Sequence, residues 1–590
     1  MRIACCLVFP NSLSSLTFIT DKHSAQIQIT FGAMYSKVTY NYIGTVEMLL
    51  GTAWCGVFFA LIGGQPVLIN GGTGPVLAFS GVLFKLSETM GVPFLVFNAW
   101  CGLWLCFYMF LAAFMDLNGI IRYATRFTDE IFAFLIAVIF IIDALGSPFH
   151  SVGVYYYFVP SDDSHSKYED DPNYHYLETA LLSLVVCLGT TLFAYVLRGI
   201  KYTSYFWVSW MRNMCSDFAI TISILTFTVI THVIFPSIHL EELKVPSTLS
   251  PTFVCCDSTC VSYFPDDCPE VEPYGRRPWF VDLLDLNGKS YAPFVAAGPA
   301  ALAFILVFLD NGITIHLMNH PCHKMTHETA YNYDTVVIGA MIAINSLLGL
   351  PWLVAATVRS LNHLHALAEK SADGRTIYSI LETRLTGLFS HLLILGSLFA
   401  LDLIRLIPVP VLYGVFLYMG LTTLPTNQFW NRILLFFMQP SKYVDANTEA
   451  FIENVKIWRI HLYTCVQIVL FGMLYEIKSF KPIAIAFPLV IAACIPIRLY
   501  LLPKWFTEDE LILLDSGDDE IIDEWLEEHE CRRRIKYVEL RPHPDDEIHH
   551  GSLIGGSVRD SRSIVSALDH PSICGDSVIG GDEHHSLRTV

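Results

Sequence analysis

Long apolar runs broken by short polar stretches dominate this chain. Runs near the roughly 20 residues that a helix needs to cross a bilayer recur from end to end. They lie at about 46–64, 66–86, 93–115, 129–147, 176–198, 215–236, 292–318, 334–350, 351–368, 385–407, 409–424, 429–438, 458–476 and 482–502. The pattern predicts an all-α polytopic membrane protein with about 13–14 membrane segments, some of them half-helices or re-entrant pieces. No full span precedes Val46, and Met1–Phe18 reads as a poor signal peptide. Residues 46–236 and 292–505 form two halves of similar length, separated by the polar stretch 237–291. A first region, 1–45, and an acidic tail, 506–590, flank them.

Composition agrees. The chain has 590 residues, 53% hydrophobic and only 15% charged, with mean hydropathy +0.48. Soluble domains carry about 25% charged residues. The net charge of −19 gives no support to nucleic-acid binding, and much of it sits in the tail and two loops. Ser147–His175 is acidic, whereas the short connectors Asp116–Glu130 and Gly199–Asn213 carry Arg122, Arg126, Lys201 and Arg212. The positive-inside rule places those connectors in the cytoplasm and the two long loops outside. Cys255, Cys256, Cys260 and Cys268 share the second long loop. On the oxidising side they are expected to form one or two disulfides, with a zinc site as the weaker alternative. In the tail, Glu508–Glu530 reads as a short amphipathic helix, solvated and leading into disorder.

Candidate chemistry lies where the apolar pattern is interrupted. Phe304–Thr314 places Asp310 and Thr314 four residues apart inside an apolar run, on one helix face. A carboxylate at membrane depth is costly and marks a functional site by default. Two breaks stand in corresponding places of the two halves. One runs from Gly63 through Thr73, Gly74 and Pro75; the other spans Gly349, Pro351 and the residues through Arg359. Matched interruptions point to a transporter site built from half-helices of an inverted repeat. Their positive N-terminal ends favour an anion, and Arg359 adds a permanent positive charge. Asp310, Thr314, Thr73 and the carbonyls of Val354 and Ala355 also offer hard oxygens to sodium as a coupling ion. A buried Asp310–Arg359 pair that only tethers two helices is the structural alternative. His320, Cys322, His323 and His327 have metal-like spacing but share a short connector with Lys324, and no metal is expected there. No Walker A, Gly-x-Ser-x-Gly or His-Glu-x-x-His motif occurs, so nothing supports ATP-driven transport or hydrolysis.

At these residues the chain resembles the bicarbonate transporter family, which includes band 3 and the sodium bicarbonate cotransporters. The resemblance rests on FALIGGQPVLINGGTGPVLAF (59–79), RYATRFTDEIFAFLIAVIFI (122–141), FLDNGIT (308–314), LLGLPWLVAATVRSLNHLHAL (347–367), ETRLTG (382–387) and PVPVLYGVFLYMG (408–420). It covers roughly 30–505. It implies fourteen segments in two inverted repeats, a core and a gate domain, a homodimer, and an elevator-like movement of core against gate. It assigns substrate and ion binding to Thr73, Asp310, Thr314, Val354, Ala355 and Arg359. Asp310 with Thr314 matches the sodium-coupled members, whereas Arg359 matches the chloride/bicarbonate exchangers. Only Ile29–Gly32 resembles the end of a first segment, and the family's large N-terminal cytoplasmic domain has no counterpart. The expected function is secondary-active bicarbonate transport in the plasma membrane, with chloride exchange favoured over sodium-coupled uptake. Borate transport, an anion channel and a transport-dead scaffold are the rivals.

Overall fold

The computed structural model describes residues 26–515 except 124, 147–152, 159–175, 204–207, 239, 254–275, 321–322, 328, 371–376, 440–441, 444–449 and 481–482, together with 522 and 525–526. Residues 1–25, the four loop cysteines and nearly all of the tail beyond Asp515 lie outside the described residues.

Fourteen helical segments of eleven residues or more, adjoining pieces taken together, are present among the described residues. They are α1 (26–38), α2 (Thr45–Ile62), α3 (Gly74–Met90), α4 (Phe94–Phe114), α5 (Arg126–Leu145), α6 (Tyr176–Gly199) and α7 (Ser209–Asp217 with Ala219–Ile234), then α8 (Ala292–Met318), α9 (Tyr331–Leu347), α10 (Thr357–Leu367), α11 (Arg384–Ile404), α12 (Val409–Thr426), α13 (Ile457–Ser479) and α14 (Ala484–Trp505). Eight are long and apolar enough to cross a membrane alone, and the pair in α7, bent by 69°, makes nine. The others fall short for physical reasons. Helix α5 carries Arg126, Asp129, Glu130 and Asp143, while α3 and α10 are cut short by the Gly/Pro breaks.

Two expectations need correction. The run 429–438 is not a span: it forms the eight-residue helix Gln428–Leu435, whose buried face holds Phe429, Arg432 and Leu435. The run 66–86 is not one segment either. Residues 66–73 are not helical, with a turn at 66–67 and strand only at Asn70–Gly71, and α3 begins only at Gly74. Before Val46 the chain forms helix α1. Helix α1 is largely buried and lies so close to α2 that a Cβ on Gly32 would sit 2.5 Å from Thr45 Cα.

The helices sort into two sets, each drawn from both halves of the chain. Helix α4 packs on α9 and α8, and α2 packs on α11. Helix α12 lies between α5 and α6, α6 contacts α7, and α13 packs on α14 and α5. We name the first set the core and the second the gate. They meet where α8 touches α14 and α3 touches α5. Polar pins hold the break after α2. Asp334 on α9 accepts from the Gly64 and Gln65 N–H groups at 2.5 and 3.1 Å, and Arg384 on α11 donates to the Gly63 and Gly64 carbonyls. A Cβ on Gly64 would meet Ala330 Cβ at 2.4 Å, so that turn has room only for glycine.

Candidate functional site

Two short strands place the half-helices head to head. Strand β1 (Asn70–Gly71) leads into α3, and β2 (Val354–Ala355) leads into α10. They pair antiparallel, Asn70 with Ala355 and Gly71 with Val354, and the Ala356 N–H donates to the Ile69 carbonyl at 2.9 Å. Extended backbone at membrane depth leaves groups that lipid cannot satisfy. Here each half-chain satisfies the other's. Ser360 on α10 joins in, accepting from the Ile69 N–H at 3.1 Å. Both α3 and α10 therefore start at one place and run away from it, with Thr73 and Ala356 as their N-caps. Pro75, in the first turn of α3, has no N–H to leave unsatisfied. Pro351 stands ahead of β2, where its carbonyl accepts from Asn345 Nδ2 at 2.9 Å.

The side chains singled out above converge on this junction. Thr73 donates its hydroxyl to Asp310 Oδ2 at 2.9 Å, joining α3 to α8. Thr314 donates to the Asp310 carbonyl one turn back, at 2.8 Å, and lies 2.6 Å from the Thr357 hydroxyl on α10. Asp310 and Thr314 are buried, whereas Thr73, Thr357 and Arg359 are only half-buried. Val354 and Ala355 are fully buried, and their backbone is engaged with β1.

Asp310 and Arg359 do not form an ion pair with each other. Arg359 reaches across the break instead, where its Nη2 donates to the Gly72 carbonyl at 3.1 Å. A Cβ on Gly71 would lie 2.1 Å from the same nitrogen, so this glycine makes room for the guanidinium. The positive group is thus not cancelled by a carboxylate, and it stands beside the positive ends of two helices. That arrangement attracts an anion.

Sequence reasoning missed several contributors. Gln28 on α1 contacts the Arg359 guanidinium. Its only signal was an amide, beside Gln26, within a short, mostly apolar segment. Thr357, the first residue of α10, ties that half-helix to α8 through the Thr314 hydroxyl, one position after the N-cap that Thr73 occupies in the other break. His391, buried on α11, holds the back of β1, with Nε2 3.3 Å from the Asn70 carbonyl. Phe31 on α1, Phe140 on α5 and Phe416 on α12 form an edge-to-face cluster with centroids 5.2–5.9 Å apart. The Phe140 ring lies 3.0 Å from where a Gly74 Cβ would be, so aromatic rings of the gate cover the tip of α3.

Comparison with known proteins places the sequence in a family. Residues 10–175 and 160–519 match the family described as the HCO3- transporter integral membrane domain. The band 3 anion transport protein of Homo sapiens is 34% identical over 539 residues, covering 85% of this chain and 55% of its own length. Anion exchange protein 3 of Mus musculus is 33% identical over 519 residues, covering 83% of this chain and 40% of its own length. The chain thus spans about half the length of these relatives, or less. Among solved structures, the transmembrane domain of the cyanobacterial bicarbonate transporter BicA aligns with 78% of this chain and 98% of its own, with 15% identity and a TM-score of 0.46. Murine solute carrier 26 family member A9 in its inward-facing state aligns with 83% of this chain and 68% of its own, with 12% identity and a TM-score of 0.49. The family match runs through both breaks and through Asp310 and Arg359, and the chain belongs to the HCO3- transporter family of integral membrane proteins.

Proposed function

We propose that this protein carries bicarbonate across the plasma membrane by secondary-active transport, exchanging it for chloride. The observation that carries this reading is the Arg359 guanidinium, half-buried at the meeting point of two half-helices and unpaired with Asp310. A small oxyanion has three sources of attraction there, the guanidinium and the N-terminal ends of α3 and α10. Chloride is attracted by the same charge, so one site serves both anions in turn. Because the site is built by the core helices and covered by gate aromatics, movement of core against gate is the natural route to the other side. This supports an elevator-like cycle, with a second copy of the chain holding the gate fixed.

Asp310 favours a second reading. With Thr73, Thr314 and Thr357 it gathers hard oxygens next to the anion position, which suits sodium-coupled cotransport. Borate, another small oxyanion, fits the same charge.

Purified protein in proteoliposomes separates these readings. Arg359→Ala is expected to abolish labelled bicarbonate uptake while the protein still inserts; unchanged uptake would remove Arg359 from the site. Replacing external sodium with a large organic cation is expected to leave chloride-driven uptake intact. Loss of uptake in that arm would establish sodium coupling instead.

A further inference from the structure

Gln28 is fully buried on α1 and touches both Arg359 and Thr52. A guanidinium only donates hydrogen bonds, so the amide end facing it is the oxygen. In that orientation Oε1 accepts from Arg359 Nη2 at 3.0 Å and also contacts Nη1, while Nε2 donates to Thr52 Oγ1 on α2 at 3.1 Å. The amide is thereby fixed at both ends. Together with the Gly72 carbonyl, it ties the guanidinium to α1 and to the α3 break.

Both acceptors are neutral. This sets Arg359 apart from two fully enclosed arginines of the chain. Arg432 pairs with Glu130, and Arg277 contacts Glu47. A carboxylate at residue 28 would pair strongly with the guanidinium and cancel the charge that an anion needs. An amide of the same shape holds the group in place and leaves its charge free.

We propose that Gln28 is a positioning residue for anion transport: a neutral clamp that fixes the Arg359 guanidinium at the half-helix junction without neutralising it. The inference rests on the transport reading above and adds the group that sets the geometry and net charge of the site. Gln28 acts through Arg359 and need not touch the anion. Its absence of charge is as much a part of the role as its hydrogen bonds.

Two variants test this in full-length protein reconstituted into proteoliposomes, beside wild type and Arg359→Ala. Gln28→Glu keeps the shape and adds a negative charge. Labelled bicarbonate uptake is expected to fall at least tenfold although the protein elutes as a single folded peak. Gln28→Met keeps the size and neutrality but removes the acceptor. Its KM for bicarbonate is expected to rise at least fivefold with the maximal rate within twofold of wild type. A purely structural role would lower the yield of folded protein without moving KM. Wild-type KM in either folded variant, while Arg359→Ala is inactive, overturns the clamp and leaves the transport reading standing. Absence of bicarbonate flux in wild type overturns both. If the Glu variant does not insert, the KM of the Met variant decides alone.

Discussion

Gly71→Ala adds one methyl group at the point where Arg359 crosses the break. The new Cβ would lie 2.1 Å from Nη2, 2.4 Å from Nη1 and 2.6 Å from the central carbon of the guanidinium. The Gly71 backbone is not in the left-handed region, so alanine fits the strand without backbone strain. The clash is therefore with the far end of a flexible side chain, and the fold is expected to survive. The guanidinium must retreat by at least about 1.3 Å, from 2.1 to 3.4 Å, to reach ordinary contact distance, which pulls it off the Gly72 carbonyl and Gln28. Hydrogen bonds to charged groups are worth about 1.5–3 kcal/mol, and each 1.4 kcal/mol is about tenfold in affinity. A displaced guanidinium that loses one such contact to the anion raises KM by about tenfold or more. Labelled bicarbonate uptake into proteoliposomes measures this. Gly472→Ala serves as control, since a Cβ there meets nothing within 4 Å. A folded Gly71→Ala protein with wild-type KM would refute the placement of Arg359 beside the transported anion.

Other predictions address what holds the site in place. Gly56→Ala would drive a Cβ to 1.7 Å from the His391 ring between α2 and α11. Overpacking of a tight core costs about 1–3 kcal/mol, and a lower unfolding temperature in detergent is expected. Glu130→Ala removes the carboxylate beside Arg432, whose side chain is fully buried. Breaking a buried pair from one side costs about 3–5 kcal/mol, so this variant is expected to lose most of its folded yield by size-exclusion chromatography, and a wild-type yield would count against it. Outside the spanning helices, burial alone would raise the Glu241 carboxyl, but the Lys37 ammonium and the Tyr157 hydroxyl outweigh it and hold it below the ordinary glutamate range. A depressed folded-state pKa gives stability that is present above the ordinary value of 4.5 and fades as pH falls through the lower folded-state value. Wild type should therefore exceed Glu241→Gln in thermal stability at neutral pH, with the gap closing on acidification.

The half-helices were legible because their signal is local. Glycine and proline interrupt an apolar run within a few residues, and the physics of unsatisfied backbone at membrane depth does the rest. Asp310 and Arg359 were legible for the same reason, as charges where charge is costly. What escaped depended on partners far along the chain. The run 429–438 looked like a span because Phe429, Trp430, Ile433, Leu434 and Leu435 outweigh a single arginine. That arginine is held through its Nη2 by Glu130 and Gln467, which only the fold brings near. The opening of the tail read as solvated for a similar reason. In the helix Glu508–Asp515, Leu511, Leu513 and Leu514 are buried, Asp515 accepts from the Phe127 N–H at 2.6 Å and pairs with Arg498, and Glu510 pairs with Arg459 at 2.7 Å. An acidic stretch that caps the start of α5 cannot be told from a solvated one until α5 and α14 are in place. Helix α1 is hard to read from sequence because it is short and carries Gln26, Gln28 and Thr30 among its apolar residues. Those amides and hydroxyls weaken the hydropathy signal, yet one of them reaches the guanidinium. The polar residue that makes a segment look less like membrane is, at Gln28, the one that ties it to the transport site.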